Sequence, residues 1–401
     1  MSTVQESGGT GTAVAARKPR PPRRRGRLAF AAVLATVLAL LFGVPWWTLV
    51  WAPSWPVWTT VVGTVVVAGV AVAFPFLMVR GHGRGGDVAA RVGDTVLGVI
   101  WILFTWSVLG NVAGLALWAA GVDDPGRSRW VAGGVAAVSA VLVGWGYTEA
   151  MRVPRVREVE VTLSRLGPGL DGLRVVLLTD THYGPIDRVA WSSKVVDVVN
   201  SLDADIVCHT GDIADGTVEQ RRAQSVHLGR VRARHARAYV TGNHEYFSQA
   251  EGWLAHMAQL GWECLHNRHV VVARGGSRLI LAGVDDRTAH SSGRPGHGAD
   301  HATALAGADP DAAVLLLAHQ PRQVDAAVAH GVDLQLSGHT HGGQIWPFHL
   351  LVRTDQPVLA GLSRHGDRTQ LYTSRGTGFW GPPFRVFAPS EITLLILRAP
   401  R

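Results

Sequence analysis

The stretch LSGHTHGGQ, residues 336 to 344, sets His339 and His341 one residue apart among small side chains at the end of an apolar run. An imidazole with a free lone pair is a ready ligand for a divalent cation. The same arrangement recurs along the second half of the chain. Six apolar runs stand out: LRVVLLTD (173 to 180), ADIVCHTGD (204 to 212), ARAYVTGNHE (236 to 245), RLILAGVDD (278 to 286), AAVLLLAHQP (312 to 321) and VDLQLSGHTH (332 to 341). Five of them end in residues that bind metals: Asp180 and His182, Asp212, Asn243 and His244, His319, His339 and His341. One aspartate after a strand is usually a turn or a helix cap, and one histidine is usually a hydrogen-bonded group. Five such ends in one chain point instead to a shared site, because separate strands of an α/β sheet deliver ligands to a common point beyond their carboxyl ends. The donors are all nitrogen and oxygen, which suits Mn, Fe or Zn without choosing among them. The two cysteines, Cys208 and Cys264, form no CxxC pair, which excludes a thiolate metal site and a disulfide framework and fits a reducing compartment.

Taken together, Asp180-Thr-His182, Gly211-Asp212-Ile-Ala-Asp215, Gly242-Asn243-His244-Glu245, His319 and Gly338-His339-Thr-His341 resemble the five ordered motifs of the calcineurin-like metallophosphoesterases. The resemblance covers roughly residues 155 to 398. Through GGQIWP, SRGTGFWGPPFRV and PSEITLLIL it extends to the membrane-linked branch of that family. It implies a four-layer α/β/β/α sandwich. It further implies one divalent ion on Asp180, His182, Asp212 and His341, and a second on Asp212, Asn243, His319 and His339. His244 is then a catalytic acid rather than a ligand, and Asp215 the carboxylate that orients it. The chemistry gives its own reasons for these residue types. Two ions about 3.5 to 4 Å apart need a bridging carboxylate and lower the pKa of the water they share. Against four cationic charges, two carboxylates leave a pocket suited to a phosphate anion. GDIADG lacks the arginine that follows in protein serine/threonine phosphatases, which counts against phosphoprotein substrates. Arg375 in SRGTG and Arg385 in PFRV are candidate phosphate contacts.

Something must hold this domain, expected over residues 151 to 401, and the first half of the chain shows what. No charged residue occurs from Leu28 to Val79, from Thr95 to Val122 or from Trp130 to Thr148. At about 20 apolar residues per bilayer crossing, these runs predict a four-helix membrane region over residues 28 to 150, with spans at about 28 to 50, 57 to 79, 97 to 120 and 130 to 148. RRRGRLAF resembles the start of a secretion signal, but its apolar run is far longer than a signal core and three more spans follow. Trp46, Trp47, Trp51, Trp55 and Trp58 surround the first turn as an aromatic belt would. Basic residues flank the tail (1 to 27), the second loop (Arg80, Arg84, Arg91) and the exit (Arg152, Arg155, Arg157), which places both termini and the catalytic domain in the cytoplasm of a multi-pass membrane protein. The net charge of +8 is concentrated in the tail, where seven basic residues face Glu6, so it signals topology and contact with membrane lipids rather than nucleic acid. A second basic stretch, from Arg221 to Arg237, reads as a solvated helix face.

The expected activity is metal-dependent hydrolysis of a phosphate ester, in particular a phosphodiester or pyrophosphate. A lipid-linked substrate, such as a phospholipid or a nucleotide-linked acylated sugar, fits the membrane anchor. Soluble nucleotides are the alternative substrate, and a non-catalytic metal-binding docking module is the alternative class. The apolar runs carry no buried charge of the kind an ion path requires, which excludes a transporter.

Overall fold

The computed structural model describes residues 24 to 400, so most of the basic tail lies outside the described residues. Four helices come first: α1 (Arg24–Trp46, prolonged by a π turn over Trp47–Trp51), α2 (Val57–His82), α3 (Asp87–Ala119) and α4 (Gly126–Met151). All four are long and apolar enough to cross a membrane. The helix that contains the expected third span is longer than that span. α3 begins ten residues before the expected span and passes through Arg91 and Asp94 before reaching it. A charge-free run measures the thickness of hydrocarbon, about 30 Å, whereas 33 helical residues reach about 50 Å. The surplus turns project toward the second half of the chain. α4 exceeds its expected span at both ends for the same reason.

The second half folds into two six-stranded sheets. In chain order the strands are β1 (Arg155–Thr162), β2 (Leu173–Leu178), β3 (Ile206–His209), β4 (Ala236–Tyr239), β5 (Glu263–Cys264), β6 (Arg268–Arg274), β7 (Ser277–Gly283), β8 (Ala313–Leu317), β9 (Leu334–Ser337), β10 (Gly361–His365), β11 (Thr369–Thr373) and β12 (Glu391–Arg398). One sheet runs β1-β12-β2-β3-β4-β5 and the other β10-β11-β9-β8-β7-β6. Helices α5 (Val189–Ser201), α6 (Val218–Ser225), α7 (Asn243–Phe247) and α8 (Ala250–Gln259) follow strands of the first sheet; α9 (His301–Ala304) and α10 (Val324–Ala329) accompany the second.

Alternation along β2 shows the layering. Leu173, Val175 and Leu177 meet Leu279, Leu281, Leu315 and Leu334 between the sheets. Val176 and Leu178 point the other way, toward Val195 and Val199 of α5 and Trp253 and Met257 of α8. Across the second sheet, Ile280 and Leu316 pack on Ala304 and Ala327. The order is therefore helix, sheet, sheet, helix, as expected. Strands buried on both faces have no polar side to show, which is why the central ones read as unbroken apolar runs.

The two halves are joined by more than the chain. Ile102 of α3 and Leu142 of α4 form one apolar cluster with Ile345, Phe384 and Val386. The Arg385 backbone N–H donates to the Gly146 carbonyl at 2.9 Å. GGQIWP and GFWGPPFRV are thus the segments that bed the sandwich on the helices. Arg221 adds a bidentate ion pair with Asp87 at the start of α3, at 2.6 and 2.8 Å. The rest of the basic stretch is largely solvated, as expected: Arg222, Arg230, Arg232 and Arg234 are exposed, Arg230 pairing with Asp197 and Arg234 with Asp203 and Asp205 at the surface, while the half-buried Arg237 donates to two backbone carbonyls. Because the Arg221 side chain is buried, Arg221→Ala is expected to cost about 1–2 kcal/mol and to lower the melting temperature of the full chain in detergent. An unchanged melting temperature would show that the pair does not hold the halves together.

Candidate metal centre

Each ligand candidate lies just past a strand. Asp180 and His182 follow β2, Asp212 follows β3, Asn243 opens α7 after β4, His319 follows β8, and His339 and His341 follow β9. The geometry brings all seven together in two adjoining clusters. In the first, the donor atoms of Asp180, His182 and His341 lie within 4.8 Å of one another. His182 Nε2 is 3.1 Å from His341 Nε2, and His341 Nε2 is 3.5 Å from Asp180 Oδ1. In the second, His319 Nε2 is 3.1 Å from Asn243 Oδ1 and 3.2 Å from His339 Nδ1, and that Nδ1 is 2.9 Å from Asn243 Oδ1. Asp212 Oδ2 stands between the clusters, 3.5 Å from His182 Nε2 and 3.2 Å from His319 Nε2. Donors bonded to one cation at about 2.0–2.2 Å sit about 3 to 3.5 Å apart, so these separations fit two cations sharing Asp212.

The backbone is bent to achieve this. Asp180, His182, Asp212, His339 and His341 all take positive φ, at 53°, 40°, 53°, 70° and 51°. That left-handed region costs a residue with a Cβ about 1–2 kcal/mol, although Asp and His enter it more readily than most. Neighbouring backbone holds the bends. Asp180 N–H donates to Gly211 O, His182 N–H to Asp212 O, and His339 N–H to the Asp180 carboxylate. A Cβ at Gly338 would collide with the Asp180 carboxylate and one at Gly242 with that of Asp212, so both turns require glycine. The imidazoles are oriented from behind: His319 Nδ1 lies 2.8 Å from the Thr210 carbonyl and His182 Nδ1 lies 2.9 Å from Asp215 Oδ1, which turns each Nε2 inward.

The family profile of calcineurin-like phosphoesterases matches residues 173–343. An uncharacterized metallophosphoesterase of Campylobacter jejuni is 32% identical over 262 residues, which cover 65% of this chain and 68% of that one. The chain belongs to the calcineurin-like metallophosphoesterases. A transmembrane protein with metallophosphoesterase domain from Danio rerio is 38% identical over 267 residues, 65% of this chain and 61% of its own length. A metallophosphoesterase of Helicobacter pylori is 38% identical over 258 residues, 63% of this chain and 66% of that one. The match thus spans less than two thirds of the length of these two relatives.

Within the metallophosphoesterase site, His244 sits beside the first cluster, its ring edge-on to His182 with centroids 4.6 Å apart. Its Nδ1 is 2.7 Å from Asp215 Oδ1, so Asp215 serves His182 and His244 together rather than His244 alone. Burial by itself would push the His244 pKa down, but the charges of Asp212 and Asp215 and the Asp215 hydrogen bond push it up to about 9. Burial would likewise raise the Asp215 carboxyl, yet the two imidazoles hold it far below the usual carboxylate range.

Neither candidate arginine is among the residues lining the cavity in front of the clusters. The Arg385 guanidinium is fully buried behind His341, where it donates to the carbonyls of Gly378, Ala388, His341 and Arg375 and lies 3.1 Å from His341 Nδ1. That geometry props a ligand candidate and leaves no N–H for a phosphate. Arg375 flanks Gly342, against which its aliphatic stem lies.

Glu245, within the Gly-Asn-His-Glu motif, has a role that the motif alone does not assign. Its carboxylate accepts the backbone N–H groups of Asp212, Ile213 and Gly242 and so fixes the bend that presents Asp212. The fourth position of Gly-Asn-His-Glu was the available signal. His82 and Asp94 were also missed. They come from the helix ends outside the apolar runs and line the same cavity of about 630 Å³ as His182, Asp212, His244 and His339.

Proposed function

We propose that this chain is a membrane-anchored, bimetal-dependent phosphoesterase that hydrolyses a phosphodiester or pyrophosphate bond in a phospholipid or another lipid-linked substrate. The shared Asp212 carries the reading, since one carboxylate reaching both clusters is what a pair of cations needs as a bridge. Asp180, His182, Asp212 and His341 would hold one cation, and Asp212, Asn243, His319 and His339 the other. When bound, Mn, Fe or Zn in these positions would supply Lewis acidity toward the phosphoryl oxygens and an acidified water as nucleophile. The chain itself manages the proton. With Nδ1 of His244 engaged by Asp215, Nε2 is the nitrogen free to protonate the leaving oxygen as its bond to phosphorus breaks.

Residues 28 to 150 would act as the anchor and 151 to 401 as the catalytic unit. Anchoring raises the local concentration of substrates that reside in the bilayer, which favours a lipid-linked phosphate over a soluble nucleotide. The end of α2, the start of α3 and the end of α4 all face the catalytic unit, and Arg80 and Arg91 on them, with Arg84 and Arg152 just beyond, bring the basic-residue rule to favour the cytoplasm for that unit. A reporter fused after Arg401 is expected to be active only as a cytoplasmic fusion, and activity outside the cell would reverse the orientation.

Hydrolysis of bis-p-nitrophenyl phosphate against p-nitrophenyl phosphate by the purified full chain tests the activity. Diester turnover ahead of monoester turnover, lost on chelation and restored by Mn, is expected. A chain shown to hold its metal but inert on a broad panel of phosphate esters would rule the activity out.

A further inference from the structure

The cavity has two unlike walls. On one side stand the ligand candidates and His244; on the other, α2 and α3 contribute His82, Asp94, Leu97 and Trp101. Its volume of about 630 Å³ suits an organic ligand and far exceeds a phosphate group. His82 Nε2 is 2.8 Å from Asp94 Oδ1, which leaves Nδ1 of that ring without a partner among the described residues. Asp94 is 4% exposed. A buried carboxylate is costly to keep unless it is paired, and here its side-chain partner is an imidazole that faces the site. Trp101 is fixed in place by its Nε1 donating to the Ile345 carbonyl at 3.3 Å and by an edge-on contact with Phe348. Beside Leu97 and Trp101 the wall is apolar. At the rim, Phe247 and Trp380 expose 69% and 46% of their surface, and Leu350 and Leu351 stand exposed just beyond. Exposed apolar side chains on a domain bedded against membrane helices mark the face that meets lipid.

We propose that the membrane helices form the specificity half of this site: His82, held by Asp94, contacts the phosphoryl group, and the wall around Leu97 and Trp101 takes the hydrocarbon tail of an amphiphilic phosphodiester. The proposal rests on the hydrolase reading above and adds a substrate class and two subsites to it. The tail enters from the bilayer side, past the exposed rim, and brings the phosphate up against the metal clusters. Neither subsite belongs to the sandwich, so the catalytic unit carries the chemistry and the helices carry the selection.

The test uses the full chain in lipid nanodiscs, loaded with Mn. The substrates are bis-p-nitrophenyl phosphate and the p-nitrophenyl diesters of butyl and decyl phosphate. Wild type is expected to favour the decyl over the butyl ester by about tenfold or more in kcat/KM, as burial of the added methylenes allows. Partition into the disc is common to all variants, so the comparison between them isolates the protein's share. Leu97→Trp fills the tail wall and Leu97→Ser makes it polar; each is expected to lower the decyl-to-butyl ratio about fivefold or more, and the serine variant stands if the tryptophan variant misfolds. His82→Gln is expected to raise KM for both esters about tenfold with little change in kcat and no change in their ratio. A wild-type ratio in both Leu97 variants, with wild-type KM in His82→Gln, would overturn the subsites while leaving the hydrolase intact. Failure of metal-loaded wild type on all three esters would overturn the hydrolase reading and this proposal with it.

Discussion

His341→Ala is expected to lower the turnover of bis-p-nitrophenyl phosphate on the order of a thousandfold and to cut bound metal by about half. The side chain places Nε2 3.1 Å from that of His182 and 3.5 Å from Asp180 Oδ1, so alanine removes one corner of the first cluster and leaves the second complete. Misfolding is a weak alternative explanation for such a loss. Histidine and alanine both carry a Cβ, so alanine adds only a small part to the cost of the left-handed backbone at position 341, and Arg385 keeps its carbonyl acceptors around the gap. Elemental analysis beside the assay separates the cases. Full metal with activity lost would show that His341 does not act as a ligand, and full activity with metal lost would show that the first cation is not needed for turnover.

Loss of the His244 ring should look different. His244→Ala is expected to retain both metals and to reduce kcat by about a hundredfold or more on an ester with an alkoxide leaving group. On p-nitrophenyl esters the reduction should be markedly smaller, because p-nitrophenolate departs without needing a proton. A uniform loss across leaving groups would assign His244 to charge stabilisation or substrate binding instead. Asp215→Asn should not simply repeat the His244 result. Asp215 also holds His182 Nδ1, so the asparagine variant is expected to lose metal affinity as well as acid catalysis.

Where the sequence pattern succeeded and where it failed have physical causes. The central strands announced themselves because sandwich strands are apolar on both faces, and their polar ends named every residue of the two clusters. Strands β6, β10 and β11 escaped notice because they lie at or near the sheet edge, where half-exposed residues such as Arg268 and Gln370 break the apolar run. Arg385 looked like a phosphate contact because composition cannot tell a guanidinium that faces solvent from one spent on buried carbonyls. The ends of α2 and α3 carry charge and so read as loop in the sequence, yet a helix does not stop where hydrocarbon stops. His82 and Asp94 sit in those charged turns.

The five left-handed residues of the candidate metal centre have a consequence for the life of the protein in the cell. Even at about 1 kcal/mol each they withhold about 5 kcal/mol, the whole stability of a marginal domain. Glycine at position 180 or 341 should therefore give a chain that melts higher than alanine at the same place, by about 1 kcal/mol, although both lack the ligand. Calorimetry on the two metal-free variants decides it, and equal melting would show that the bends are cost-free. If the bends do carry that cost, bound cations offset it only while metal is plentiful. A metal-starved cell would then lose the protein to proteolysis as well as its activity, and its abundance would follow metal supply with no change in synthesis.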